Sequence, residues 1–107
     1  MDGGTLVTNV SPRREINILP SAYLLYQNFP NPFNPTTVIR YTILNPKFVS
    51  LKVYDILGTE VATLVGEEKP AGEYEVDFSG EGLTSGVYFY QLKTESFIQT
   101  KKMLLIK

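Results

Sequence analysis

The side chains that could do chemistry in this 107-residue chain are carboxylates, lysines and tyrosines, because histidine and cysteine are both absent. Without them the usual nucleophile–base pairs and the common zinc ligand sets cannot be assembled. Neither a Gly-x-Ser-x-Gly elbow nor a phosphate-cradling glycine loop occurs. Glu73, Glu75 and Asp77 could supply an acid–base pair of glycosidase type. They alternate with Tyr74, Val76 and Phe78, however, which puts all three on the outer, solvated face of a strand. Asp77, Glu81 and nearby carbonyls could surround calcium, but no Asp-x-Asp-x-Asp-Gly loop is present, and acidic surface beside a turn is the stronger reading. Tyr54, Tyr88 and Tyr90 could form an exposed platform for sugars. Against that, aromatics at strand spacing are more often core or cross-strand pairs, and tryptophan is absent. The expectation is a chain without catalytic residues, bound metal, cofactor or small-molecule substrate.

What remains is the stretch Thr100-Lys-Lys-Met-Leu-Leu-Ile-Lys107, in which three lysines accompany four apolar residues. One reading is a final strand whose lysines protect a sheet edge. The other is a strand presented to a receptor, by edge addition or through its side chains. The two are compatible, and both registers contain apolar residues, so the inward face is left open.

The elements that would position these residues are strands. Residues 37–44 alternate, with Ile39, Tyr41 and Ile43 on one face and Arg40, Thr42 and Val38 on the other. Residues 48–54 alternate again, Val49, Leu51 and Val53 against Ser50, Lys52 and Tyr54. The short break Asn45-Pro46-Lys47 between them suggests an antiparallel hairpin. Asp55-Ile-Leu-Gly58 reads as a turn in which Gly58 takes positive φ, and residues 59–65 as the next strand. Pro70-Ala-Gly72 reverses the chain into 73–78, where a slip of one register would bury three carboxylates. Residues 87–94 are apolar on both faces, which predicts a central strand or one covered on its second side; residues 97–106 form the last strand. With 23–28 as a short edge strand, the sum is seven short strands and no helical period. The predicted fold is all-β, an immunoglobulin-like antiparallel β-sandwich over 23–107, with 1–22 as a linker that includes an extended piece at 6–10.

Before the first long strand stands Asn28-Phe-Pro-Asn-Pro-Phe-Asn-Pro35. Pro30, Pro32 and Pro35 each remove a backbone donor and restrict the preceding residue. Asn28, Asn31 and Asn34 favour turns through side-chain bonds to local backbone. The segment therefore reads as an ordered loop, with Phe29 and Phe33 as two apolar anchors pressed onto a core.

Formal net charge is −1, which argues against nucleic acid or an acidic membrane as a partner bound through bulk charge. Acids crowd the middle (Asp55, Glu60, Glu67, Glu68, Glu73, Glu75, Asp77, Glu81), while Lys93, Lys101, Lys102 and Lys107 collect near the end. Ordinary solvated surface is the simpler reading, a partner-facing basic end the sharper one. No run reaches membrane-spanning length. Met1-Asp-Gly-Gly opens neither a signal nor a transit peptide, so any export signal is expected on a passenger N-terminal to these residues.

The sequence from Pro20 to Tyr41 resembles the opening of the type IX (Por) secretion C-terminal sorting domain. The resemblance continues in family order through Val53-Tyr-Asp-Ile-Leu-Gly-Thr-Glu-Val61, Ala71-Gly72, Leu83-Thr-Ser-Gly-Val-Tyr-Phe-Tyr-Gln-Leu92 and Thr100–Lys107. It implies an immunoglobulin-like fold and a non-catalytic sorting function for an N-terminal passenger. It also implies outer-membrane shuttle and translocon proteins as partners, and a surface sortase that removes the domain at a point within residues 1–25. The recognition residues it implies are Gly86, Val87, Tyr88, Lys101, Lys102, Met103, Leu104, Leu105, Ile106 and Lys107. The Val-Tyr-Asp-x-x-Gly pattern also resembles the immunoglobulin-like part of the flagellar hook-capping protein, which keeps a scaffold or carbohydrate-binding module as the alternative.

Overall fold

The computed structural model describes residues 22–45 and 47–107; the expected linker at 1–22, but for Ala22, and its extended piece at 6–10 lie outside them. The described residues form seven strands: β1 (Leu24–Leu25), β2 (Thr36–Ile43), β3 (Lys47–Tyr54), β4 (Glu60–Lys69), β5 (Gly72–Ser79), β6 (Gly86–Lys93) and β7 (Ile98–Leu105). They make two antiparallel sheets, ordered β1-β2-β5 and β4-β3-β6-β7, packed as an immunoglobulin-like sandwich. All seven expected strands are present. The first contracts to two paired residues and the fourth extends four residues past Val65.

Alternation decides which faces meet. Ile39, Tyr41 and Ile43 of one sheet and Val49, Leu51 and Val53 of the other are buried, together with Tyr88, Tyr90 and Leu92 from β6. On β5, Phe78 is buried and Tyr74 and Val76 half-buried, while Glu73, Glu75 and Asp77 stay exposed, as their spacing requires. Each large aliphatic or aromatic side chain removed from water contributes about 1.5–3 kcal/mol, which makes this shared layer the dominant stabilising element. Aromatic contacts tie it further: Tyr41 stacks on Tyr74 at 5.3 Å and Phe33 meets Phe78 edge-on at 6.0 Å.

The expected hairpin between 37–44 and 48–54 does not form. β2 pairs with β1 and β5, whereas β3 pairs with β4 and β6, so the chain crosses from one sheet to the other between them. The physical reason is that alternation fixes the inward face of a strand but not its neighbour. In opposed sheets the apolar faces of β2 and β3 cover each other across the core, while β3 finds its side-by-side partners in β4 and β6. β6 is central, between β3 and β7. Its second face, with Val87 and Phe89, is half-buried.

Candidate functional site

β7 is the last strand of its sheet, and its register sets which side chains face outward. Val87 stands opposite Leu104, Tyr88 opposite Met103 and Gly86 opposite Leu105. Met103 and Leu105 point into the core and are buried; Lys102, Leu104 and Ile106 are exposed. Of the two apolar registers, Met103 and Leu105 fill the sandwich, and Leu104 and Ile106 face solvent.

The free edge of β7 is not bare. The proline loop lies along it, with the Phe33 amide donating to the Leu104 carbonyl and the Ile106 amide donating to the Phe33 carbonyl, both at 2.9 Å. The Leu104 amide donates to Asn31 Oδ1 at 3.0 Å, and Gln27 Nε2 donates to the Lys102 carbonyl at 2.7 Å. Phe33 and Leu105 form a parallel bridge. From Lys102 to Ile106, edge groups that a strand-adding partner would need are therefore bonded within the chain.

The loop itself is knotted around buried polar groups. Asn28 Nδ2 donates to Thr37 Oγ1 (3.0 Å) and the Pro30 carbonyl (3.1 Å), and Thr37 Oγ1 donates to the same carbonyl (2.8 Å). The Asn28 amide donates to the Tyr90 hydroxyl, which donates onward to the Tyr26 carbonyl, each at 2.7 Å. Burial of Tyr90 pushes its pKa up to about 12, with the Asn28 amide acting in the opposite direction. The peptide bonds preceding Pro30, Pro32 and Pro35 are cis.

Of the two expected anchors, only Phe33 is one. It is 1% exposed, whereas Phe29 is 79% exposed. Phe29 bridges Val38, donating to and accepting from it at 3.0 Å, and directly opposed residues in an antiparallel pair share a face. Val38 lies on the outer face of β2, so Phe29 does too. Phe33, opposite the inward-facing Leu105, is carried into the core. Asn31 reaches the terminal strand; Asn34 is exposed.

Gly86, Val87 and Tyr88 open β6 beside the end of β7. The Tyr88 hydroxyl donates to the Thr84 carbonyl at 2.7 Å, a tyrosine corner of the kind that closes immunoglobulin-like sandwiches. Tyr88 is buried, so what it presents to a partner is slight; Val87, on the opposite face, is half-exposed. The structure thus brings the proline loop, the 86–88 segment and residues 102–107 to one end of the molecule. Within the group, Lys102, Leu104, Ile106 and Lys107 are the exposed members, Val87 and Lys101 are half-exposed, and Met103, Leu105 and Tyr88 are core. Gln27 and Gly80 also belong to this end. A Cβ on Gly80 would meet Leu105 Cδ2 at 2.8 Å, so any larger residue at this point of the 79–82 turn would have to displace the buried Leu105 side chain. No local sequence signal marks either residue, because their contacts are made across the fold.

Tyr54, Tyr88 and Tyr90 do not form a platform: Tyr88 and Tyr90 point into the core and Tyr54 faces outward. A groove of about 770 Å³ does lie over β3, between Phe48 and Tyr54 and beside Lys52, Gln91 and Lys93, but residues 101–107 take no part in it. Among the described residues, no three carboxylates approach closely enough to hold a metal ion.

Residues 27–107 match the family model described as the secretion system C-terminal sorting domain. No curated protein matches the chain.

Proposed function

This chain belongs to the secretion system C-terminal sorting domain family of type IX secretion, and from that premise we propose how the sorting signal is built and used. Membership carries an N-terminal passenger, interaction with the type IX machinery, and export to the cell surface or beyond it. In our reading residues 23–107 are the sorting domain and residues 1–22 link it to the passenger. The domain folds in the periplasm, is handed by an outer-membrane shuttle protein to the translocon, and acts without catalysis of its own. A surface sortase then cleaves within residues 1–25 and leaves the passenger released or surface-attached.

The signal comprises Gly86, Val87, Tyr88 and residues 101–107, divided by role. Met103, Leu105 and Tyr88 hold the strand in place, while Lys102, Leu104, Ile106 and Lys107, with Val87 beside them, are read. The observation that supports this division is the alternation of β7, whose core face completes the sandwich while its other face stays exposed. Recognition then runs through side chains, since the proline loop takes the edge groups.

Export of a reporter fused ahead of residues 1–107, in a bacterium with type IX machinery, tests the reading. Removing Lys101–Lys107 should abolish export, but that deletion also removes two core side chains. The sharper variant is Lys102→Glu with Leu104→Thr and Ile106→Thr, which alters only exposed positions. Loss of export with an unchanged fold supports the proposal; unimpaired export refutes it.

A further inference from the structure

Ile56 and Leu57 occupy the tip of the turn between β3 and β4 and are 69% and 85% exposed. Glycine, proline, asparagine, aspartate and serine are the usual occupants of such tips. The turn beneath them is held firmly. Asp55 Oδ1 accepts from the Leu57 and Thr59 amides at 2.9 Å, the Asp55 amide donates to the Thr59 carbonyl, and the Gly58 amide to the Asp55 carbonyl. Gly58 takes φ +82°. Two large aliphatic side chains are thus displayed on a turn whose geometry is already paid for, so binding through them loses little conformational freedom.

The registers place this tip. Tyr54 stands opposite Phe89 and Val87 opposite Leu104, so the turn that follows Tyr54 lies at the same end of the four-stranded sheet as Val87, Leu104 and Ile106. Lys102 stands in the same outward row as Leu104, beside Phe89. Among the described residues no carboxylate pairs with it: the ion pairs are Arg40–Glu75, Lys47–Glu95, Lys52–Glu60 and Lys69–Glu67. Exposed apolar patches rimmed by polar groups mark interaction surfaces.

Building on the sorting reading above, we propose that the 55–58 turn is a second arm of the recognition surface. Ile56 and Leu57 act together with Val87, Leu104, Ile106 and Lys102, and the occupant is a protein of the secretion machinery that offers an apolar recess bordered by carboxylates. A bilayer fits less well, because a chain of formal net charge −1 gains little attraction to an anionic lipid surface beyond the local charge of Lys102. A protein recess can meet that charge with a carboxylate.

The test replaces Ile56 and Leu57 by asparagine, a residue suited to turns, in the full 107-residue chain fused to a passenger. Export is followed beside the parent fusion, and thermal unfolding of both is measured on purified protein. Parent export with at least a tenfold loss in the variant, at a melting temperature within a few degrees of the parent, is the expected result. Equal export of the two would overturn this inference and leave the sorting reading intact; failure of the parent would count against the sorting reading itself. Co-sedimentation of the parent, but not the variant, with phosphatidylglycerol vesicles would overturn the protein recess and assign the tip to a lipid surface.

Discussion

At Tyr90 one hydroxyl ties the central strand of the larger sheet to the proline loop, accepting from the Asn28 amide and donating to the Tyr26 carbonyl. Tyr90→Phe strands both backbone groups in a buried site, and urea unfolding is expected to show a loss of about 2–3 kcal/mol. The same residue makes a pH prediction. Its folded pKa is raised from 10.0 to about 12, so the folded state holds the proton more tightly. Its contribution is complete below pH 10 and is lost as pH rises toward 12; at about 1.4 kcal/mol per unit this amounts to roughly 2–3 kcal/mol. Stability measured across that window should fall more steeply for the parent than for Tyr90→Phe. Gly80 offers a steric counterpart. Gly80→Ala places a methyl group against Leu105, and calorimetry is expected to show destabilisation of about 1–3 kcal/mol.

At the scale of elements, the proline loop and β7 behave as one unit, with the loop supplying the partner that an edge strand lacks. Asn31→Ala removes the acceptor for the Leu104 amide. Hydrogen exchange at Leu104 should then accelerate, with a stability cost near 1 kcal/mol, while amides on the β6-facing side of β7 keep their protection. The individual strands were legible in the sequence because alternation is a local property; residues 73–78 admit only one facing. Pairing is not local, which is why a hairpin was expected where β2 and β3 in fact lie in opposed sheets. The difference between Phe29 and Phe33 was equally hidden. Four residues apart in a loop without period, their burial depends on whether Val38 or Leu105 stands opposite. The terminal strand was legible as a strand but its orientation was not, since Met103 and Leu105 compete with Leu104 and Ile106 for the core.

At the scale of the molecule, the motifs that resemble the sorting family have separable physical duties. The proline motif covers an edge, the Asp55–Gly58 turn fixes a protruding tip, the Tyr88 corner closes one end of the sandwich, and the last strand divides between core and solvent. The two sheets hold these motifs on one β framework rather than on separate segments. In the proposed signal the outward row of β7 is read while the inward row only supports it. The most direct measurement is export of a reporter fused to residues 1–107, compared with the same fusion carrying Lys102→Glu, Leu104→Thr and Ile106→Thr, with the melting temperatures of both domains in hand. Reporter outside the cell for the parent and retention of the variant, with the variant still folded, is the expected result. Export of the folded variant at the parental level would contradict it.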